Sequence, residues 1–367
     1  MARPPRIAIN GRFLTQRASG VQRFAMEVIK GIDALLDRDY AGLKGRVEIL
    51  APRKARDFPL KNIPLQRAGF FSGYAWEQFE FPLHAAGRLL LNLCMLGPLM
   101  TKRQIVVVHD ATVRALPDNF SARFRAAYGF LLPRLCRRAA LTVTVSEFSR
   151  REIGKWYGAD TAKMPVCHEG GDHITAVAAD ASVLRRLDLV GRNFFLGVGV
   201  DSANKNIATV VSAFHNARLD DAVLVLTGAK DPKVFGQIDQ IQSDGVRMVG
   251  FISDNELRTL YEHALALVFP SFYEGFGLPP LEAMTCGCPV IISEQPALLE
   301  VCGDVALHCR ADDGAQITRH MQALHDDPGL RARLAAAGKQ RAQRFTWEST
   351  ARSLLDHCLA LDAKQTA

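Results

Sequence analysis

Short apolar runs alternate along this chain with longer stretches in which apolar residues recur every three or four positions. The first pattern is that of strands buried on both faces, the second that of helices with one buried side. Residues 6–10 predict a strand, 12–20 a polar loop and 21–36 a helix carrying Val21, Phe24, Val28, Ile32 and Leu35 on one side. Further strands are expected at 47–50, at 105–108 just before His109-Asp110, and at 141–145. Between them, 120–139 reads as a helix with Phe120, Phe124, Tyr128, Leu131 and Leu135 on one face and five arginines beside it. Ser149 to Glu152 has the spacing of a capping box. Residues 53–81 show no period; they are basic first and then rich in aromatics.

Around 169–180 the composition turns small and polar, as a linker would, and the alternation then restarts. Strands are expected at 194–200, 223–227 and 246–251, with helices from 207 and over 254–263. Two helices, 326–345 and 347–362, follow near the C-terminus. Two successive βα series predict an α/β protein of two domains with parallel sheets. No repeat of solenoid length is present.

The densest information lies in residues 265–293, LALVFPSFYEGFGLPPLEAMTCGCPVIIS. A buried strand stops at Pro270. A loop with Gly275 and Gly277 follows, and Pro279 and Pro280 open a helix, where a missing N–H costs little. Gly287 and Pro289 end that helix, and 290–293 is the next strand. Such a loop lies at the carboxyl end of a strand and the amino end of a helix, where open α/β sheets bind anions and nucleotides. Glu274 and Glu282 bracket it. Carboxylates accept hydrogen bonds from hydroxyl-rich ligands; equally, each could be a loop or helix charge facing water.

Composition narrows this picture only in part. Of 367 residues, 48% are hydrophobic and 23% charged, as in ordinary globular domains, and the net charge is +7. Nucleic acid, an acidic membrane surface or a phosphorylated substrate would each suit that charge. No run of Lys and Arg decides among them. The eight cysteines form no CxxC and no metal-ligand spacing, so reduced thiols in a cytoplasmic setting are expected. The most apolar stretch, 89–100, is too short to cross a bilayer.

Several motifs in order resemble the retaining glycosyltransferases of family 4 (group 1), which have the GT-B fold of two Rossmann-like domains facing a central cleft. Residues 269–291 are similar to the family's signature of two glutamates with seven residues between them. SGVQRF (19–24), VVVHDAT (106–112), VTVSEFSRREI (143–153), GVGVDSANKN (197–206) and GFISDNELRTLYEHA (250–264) resemble its other motifs. WEQ (76–78) and FGLPPLEAM (276–284) are most similar to transferases of bacterial surface polysaccharide, often mannosyl.

The resemblance implies an acceptor-binding domain over 1–175, a donor-binding domain over 176–345 and a C-terminal helix, 346–367, packing back on the first. It implies that Glu274 holds hydroxyls of the donor sugar. The backbone of Gly275, Phe276, Gly277 and Leu278 would meet sugar and diphosphate, and Glu282 the ribose. Lys205 would neutralise the diphosphate, His109 would lie beside the reacting carbon, and Gly20 would let the first loop approach phosphate or acceptor. The donor is then a nucleotide-diphosphate sugar and the acceptor a lipid-linked or oligosaccharide hydroxyl at the inner face of a membrane. No metal, cofactor or nucleic acid is expected; Asp37-Arg38-Asp39 reads as a solvated turn.

Two positions depart from the family pattern. Val200 stands where an arginine is frequent, and Gln22 where a second glycine is. A NAD-dependent oxidoreductase would need G-x-G-x-x-G, and Gly197 and Gly199 lack the third glycine. A sugar-nucleotide epimerase of the same fold and a non-catalytic sugar-nucleotide binder are the nearer alternatives.

Overall fold

The computed structural model describes residues 6–17, 19–199, 202–228 and 245–366; Val200 lies outside them. The chain divides into two units, residues 1–170 with 347–367, and residues 171–346.

The first unit is built on a six-stranded sheet in the order β3-β2-β1-β4-β5-β6. Its strands are β1 Ile7–Asn10, β2 Val47–Ala51, β3 Leu65–Arg67, β4 Leu89–Asn92, β5 Gln104–Val107 and β6 Leu141–Val143. All pairings are parallel. Ile7, Ala8 and Ile9 are fully buried, as a central strand covered on both faces requires. The order is that of a doubly wound fold, with its switch point between β1 and β4.

The helix Gly20–Asp37 packs against the C-terminal helix Trp347–Thr366. Gly31 makes this close approach possible, since a Cβ there would lie 2.9 Å from Ala351 Cβ. On the C-terminal helix, Ala351, Leu354, Leu355 and Cys358 are completely buried. Asp37, in the only Asp-x-Asp of the sequence, pairs with Lys61 at 2.9 Å.

The second unit repeats the plan. Its strands are β7 Asn193–Val198, β8 Ala222–Thr227, β9 Val246–Gly250, β10 Ala266–Phe269, β11 Val290–Ser293 and β12 Leu307–Cys309. Their order, β12-β11-β10-β7-β8-β9, is again doubly wound, with the switch point between β10 and β7.

Three local expectations change. Residues 53–81 are not irregular throughout: they contain β3 and, from Gly73, a helical segment with a π-turn at Trp76–Glu80. Trp76 and Phe81 stack in the core at 5.3 Å, while Phe70, Phe71 and Phe79 stay exposed. Ser149 is not an N-cap; the helix Glu147–Tyr157 starts earlier and Ser146 caps it by accepting from Ser149 N at 2.9 Å. The described capping box is Ser253 with Glu256. The linker expected over 169–180 does hold the boundary between the units, after Gly170, but only its later part is solvated: Glu169, His173 and Ile174 are buried, whereas 175–180 are largely exposed.

Candidate functional site

In the second unit, the switch point gathers two loops. After β7, Gly199 (φ 75°) turns the chain, and its missing Cβ would sit only 3.6 Å from Lys205 Cε. Asn206 adopts the left-handed conformation at φ 58°, ends the turn Ala203–Lys205 and starts the helix Ile207–Ala217. Its amide donates to Pro270 O at 3.3 Å and Ala311 O at 2.6 Å. Asn204 donates to Tyr273 O at 2.9 Å. The loop bearing Lys205 is thus tied to the loop after β10.

That second loop carries Glu274. Lys205 Nζ meets Glu274 Oε1 at 2.7 Å, and Ser271 Oγ donates to the same oxygen at 2.5 Å. Gln295 fixes the Glu274 carbonyl at 3.1 Å. Lys205 also lies 4.5 Å from the centre of the Phe269 ring. Glu274 and Lys205 side chains are 14% and 16% exposed, so the pair is shielded yet reachable.

Gly277, at φ 113°, begins the helix Leu278–Cys286, and a Cβ there would strike Leu298 Cδ2 at 2.6 Å. Phe276 is buried and meets Phe345 edge-on at 6.0 Å. Pro279 and Pro280 have no N–H, so the first turn offers Gly277 and Leu278 as outward donors. Glu282 is buried one turn on. Tyr261 OH donates to its Oε2 at 3.1 Å, and His173 Nε2 stands 2.9 Å from its Oε1. Burial, then the neighbouring Glu282 charge, push the Tyr261 phenol well above its ordinary value, so it remains a donor.

The structure therefore brings Lys205, Glu274, Gly275, Phe276, Gly277 and Leu278 together. It puts Glu282 slightly deeper, engaged by Tyr261 and His173. Ser271, Gln295, Asn204 and Asn206 were not singled out in the sequence; their roles are positional and leave no spacing signature.

In the first unit, His109 follows β5 and is buried. Its Nε2 is 2.9 Å from Leu93 O, its Nδ1 3.6 Å from Glu169 Oε1, and its ring meets Phe24 edge-on at 4.7 Å. Gly20 opens the first long helix and is exposed, with free space around its Cα. Gln22 turns sideways and donates to Gln16 Oε1 at 3.0 Å.

Beside these residues, at the β1/β4 switch point, is a cavity of about 400 Å³. Arg12, Gln16, Gln22, Tyr74, Asp110 and Tyr128 contribute polar groups to its wall; Phe120 and Phe124 contribute aromatic faces. Phe120, just before the helix Ala122–Arg138, stacks on Phe124 at 5.4 Å, and Phe124 on Tyr128 at 4.1 Å. Arg12 is held from below: its Nε meets Glu77 Oε1 at 2.8 Å, and both residues are buried. Asn10 donates to the same oxygen at 2.8 Å and to Asn92 Oδ1 at 3.0 Å; Asn92 donates to Gln104 at 2.9 Å. Burial opposes the Arg12 charge, but Glu77 more than offsets it, and the guanidinium pKa is raised. No sequence motif had pointed to Arg12 or to its pairing with Glu77.

Comparison with known proteins matches residues 186–341 to the family described as glycosyl transferases group 1. O-antigen chain mannosyltransferase B of Escherichia coli is 32% identical over 69% of this chain and 69% of its own length. Among solved structures, sucrose-phosphate synthase of Thermosynechococcus elongatus superposes with a TM-score of 0.74 at 20% identity, covering 99% of this chain and all of the other. Anabaena HepE, solved in complex with UDP and glucose, gives 0.72 at 15% identity, covering 96% and 99%. At such identities the two structures speak for the fold alone, which is the two-sheet α/β architecture expected from the motifs.

Proposed function

This chain belongs to the group 1 glycosyl transferases, and from that premise we propose that it transfers mannose from a nucleotide-diphosphate sugar, with retention, to a hydroxyl of a lipid-linked or oligosaccharide acceptor. The product is a bacterial surface polysaccharide of the O-antigen kind, the role borne in name by its E. coli relative. The carrying observation is the Lys205–Glu274 pair, 2.7 Å apart on two loops that converge where a doubly wound sheet binds its ligand.

The roles follow from the chemistry of each group. Glu274 receives its two protein bonds on Oε1. Its Oε2 takes a hydroxyl of the donor sugar. Lys205 turns from Glu274 to the diphosphate, and the N–H groups of Gly277 and Leu278 at the helix start add to the positive field. As the bond from the anomeric carbon to the diphosphate breaks, negative charge grows on the leaving oxygen, and these fixed donors stabilise it more than they stabilise the bound donor. That oxygen takes the proton of the acceptor hydroxyl as the new glycosidic bond forms on the same face. Lysine and helix donors do here what a metal does elsewhere, so the reaction needs none. Glu282, held by Tyr261 and His173, accepts from the ribose. His109, whose ring is oriented by Leu93 O and Glu169, supports the sugar near the reacting carbon.

The acceptor sugar enters the 400 Å³ cavity of the first unit. Exposed Phe70, Phe71, Phe79, Leu83 and Met100, with the basic side of Ala122–Arg138, suit contact with an anionic membrane surface from the cytoplasm. Among the described residues no helix is long and apolar enough to cross it.

The test is nucleotide release by the purified chain from a panel of sugar nucleotides, with and without EDTA. A mannosyl nucleotide should turn over and EDTA should leave the rate unchanged. Binding without release from any donor would instead make the chain a sugar-nucleotide binder.

A further inference from the structure

A second hollow in the first unit, about 430 Å³, adjoins the cavity just described through Val113, which lines both. Its remaining wall comprises Arg114, Pro117, Arg125, Ala126, Gly129 and Trp156. Two guanidiniums face it and no carboxylate does. Nearby, Arg150 pairs with Glu147, at 2.5 Å, and Arg134 covers the Phe130 ring at 3.7 Å. Neither Arg114 nor Arg125 makes an ion pair or a side-chain hydrogen bond among the described residues.

Two details show how the hollow is shaped. Gly129 stands inside a long helix, where glycine weakens the helix relative to alanine. A Cβ at that position would lie 2.7 Å from Arg114 Nη2, so the glycine makes room for the guanidinium. Trp156 uses its Nε1–H on Glu152 Oε2 at 3.0 Å, which turns the indole so that its ring forms part of the wall. Val113, Pro117, Ala126 and the indole give the hollow an apolar side next to its cationic one.

Two unpaired guanidiniums repel one another, and a phosphate or diphosphate relieves this with bidentate hydrogen bonds. The apolar side calls for a hydrocarbon attached to that anion. We infer that this hollow binds the diphosphate, and the first carbons, of a lipid-linked acceptor whose sugar occupies the adjoining cavity. The inference rests on the acceptor reading given above and adds the group that Arg114 and Arg125 recognise.

Trp156 reports on the hollow directly: it is 38% exposed, whereas Trp76 and Trp347 are buried. Farnesyl diphosphate, kept monomeric, should protect the full-length chain's exposed tryptophan from acrylamide quenching, and farnesol should not. Arg114→Gln with Arg125→Gln should weaken that protection at least tenfold. Lys205→Ala should leave it unchanged, which separates this hollow from the donor loops. Gly129→Ala should weaken binding while raising the melting temperature, an outcome that misfolding cannot imitate. Equal protection in the double variant overturns the inference. Protection by phosphatidylglycerol vesicles but not by farnesyl diphosphate overturns it too, since the anion would then be a bilayer headgroup. Nucleotide release in the absence of acceptor should be normal in the double variant. Its absence in the unaltered chain would instead count against the transferase reading, leaving the anion hollow standing.

Discussion

In the proposed reaction the Lys205–Glu274 pair, 2.7 Å apart, has to separate. Glu274→Gln keeps an oxygen at the position proposed to receive the donor sugar but loses the charge. Transfer should fall by about 10²–10³-fold, the size typical of removing one stabilising group, with the melting temperature little changed. Steady-state rates with a mannosyl nucleotide check this. Lys205→Ala should raise the donor dissociation constant by roughly 10-fold or more, as loss of a hydrogen bond to a charged group does, readable by titration calorimetry. Arg12 and Glu77 behave differently, because both are buried. Glu77→Ala leaves a guanidinium without its counter-charge and should destabilise the first unit by about 3–5 kcal/mol, measured by denaturant unfolding. Glu274 could be suspected from the sequence because it sits on the loop after an apolar run that ends as a strand, and Lys205 because GVGVDSANKN (197–206) resembles a family motif. The Arg12–Glu77 pair could not: its members are 65 positions apart, and the π-turn that carries Glu77 has no period to read.

The loop and helix around Gly277 illustrate the element scale. Two separate constraints fall on one residue: a φ of 113°, and 2.6 Å from a would-be Cβ to Leu298. Gly277→Ala should cost about 1–3 kcal/mol through backbone strain and misalign the donors of Gly277 and Leu278, so donor affinity and stability should fall together in thermal melts run with and without sugar nucleotide. The helix Gly314–Asp326 makes a pH-dependent contribution. Hydrogen bonding to Asp326, against some desolvation and with help from Asp221, raises the His325 pKa above 6.5. A raised folded value means the contribution is complete below the unfolded pKa and fades as pH rises through the folded one. The His325 contribution to the stability of the second unit should therefore fade as pH rises above 6.5, and His325→Asn should remove that part of the pH dependence in urea titrations at several pH values. Elements such as β7, β10 and Gly20–Asp37 were legible because their apolar periods are long or unbroken. β3, β4 and β12 were not, since three or four residues inside an otherwise apolar or basic stretch carry too little period. The start of Glu147–Tyr157 was misplaced because Ser146 and Ser149 both satisfy the capping pattern, and only the backbone tells which one donates its N–H.

For the whole molecule, donor binding to the folded state alone should raise its apparent stability. At a hundred times the dissociation constant the gain is about 2.7 kcal/mol, so a thermal-shift panel of sugar nucleotides should single out the correct base and sugar. The eight thiols are unpaired, and burial pushes Cys94, Cys286, Cys302 and Cys358 up to about 12. Native alkylation should consequently be slow at neutral pH and become fast only on unfolding.

The C-terminal helix has one more effect, which concerns synthesis rather than catalysis. Residues 347–366 complete the seam on Gly20–Asp37, yet the ribosome makes them after every residue of the second unit. At roughly 5–20 residues per second, Phe24 and Gly31, which meet Trp347 and Ala351, wait many seconds for their covering while the second unit can already close upon itself. The N-terminal half is born first and finished last. A nascent chain halted before Trp347 should thus carry a protease-resistant second unit and a protease-sensitive first one, and release of residues 347–366 should convert the latter to resistance.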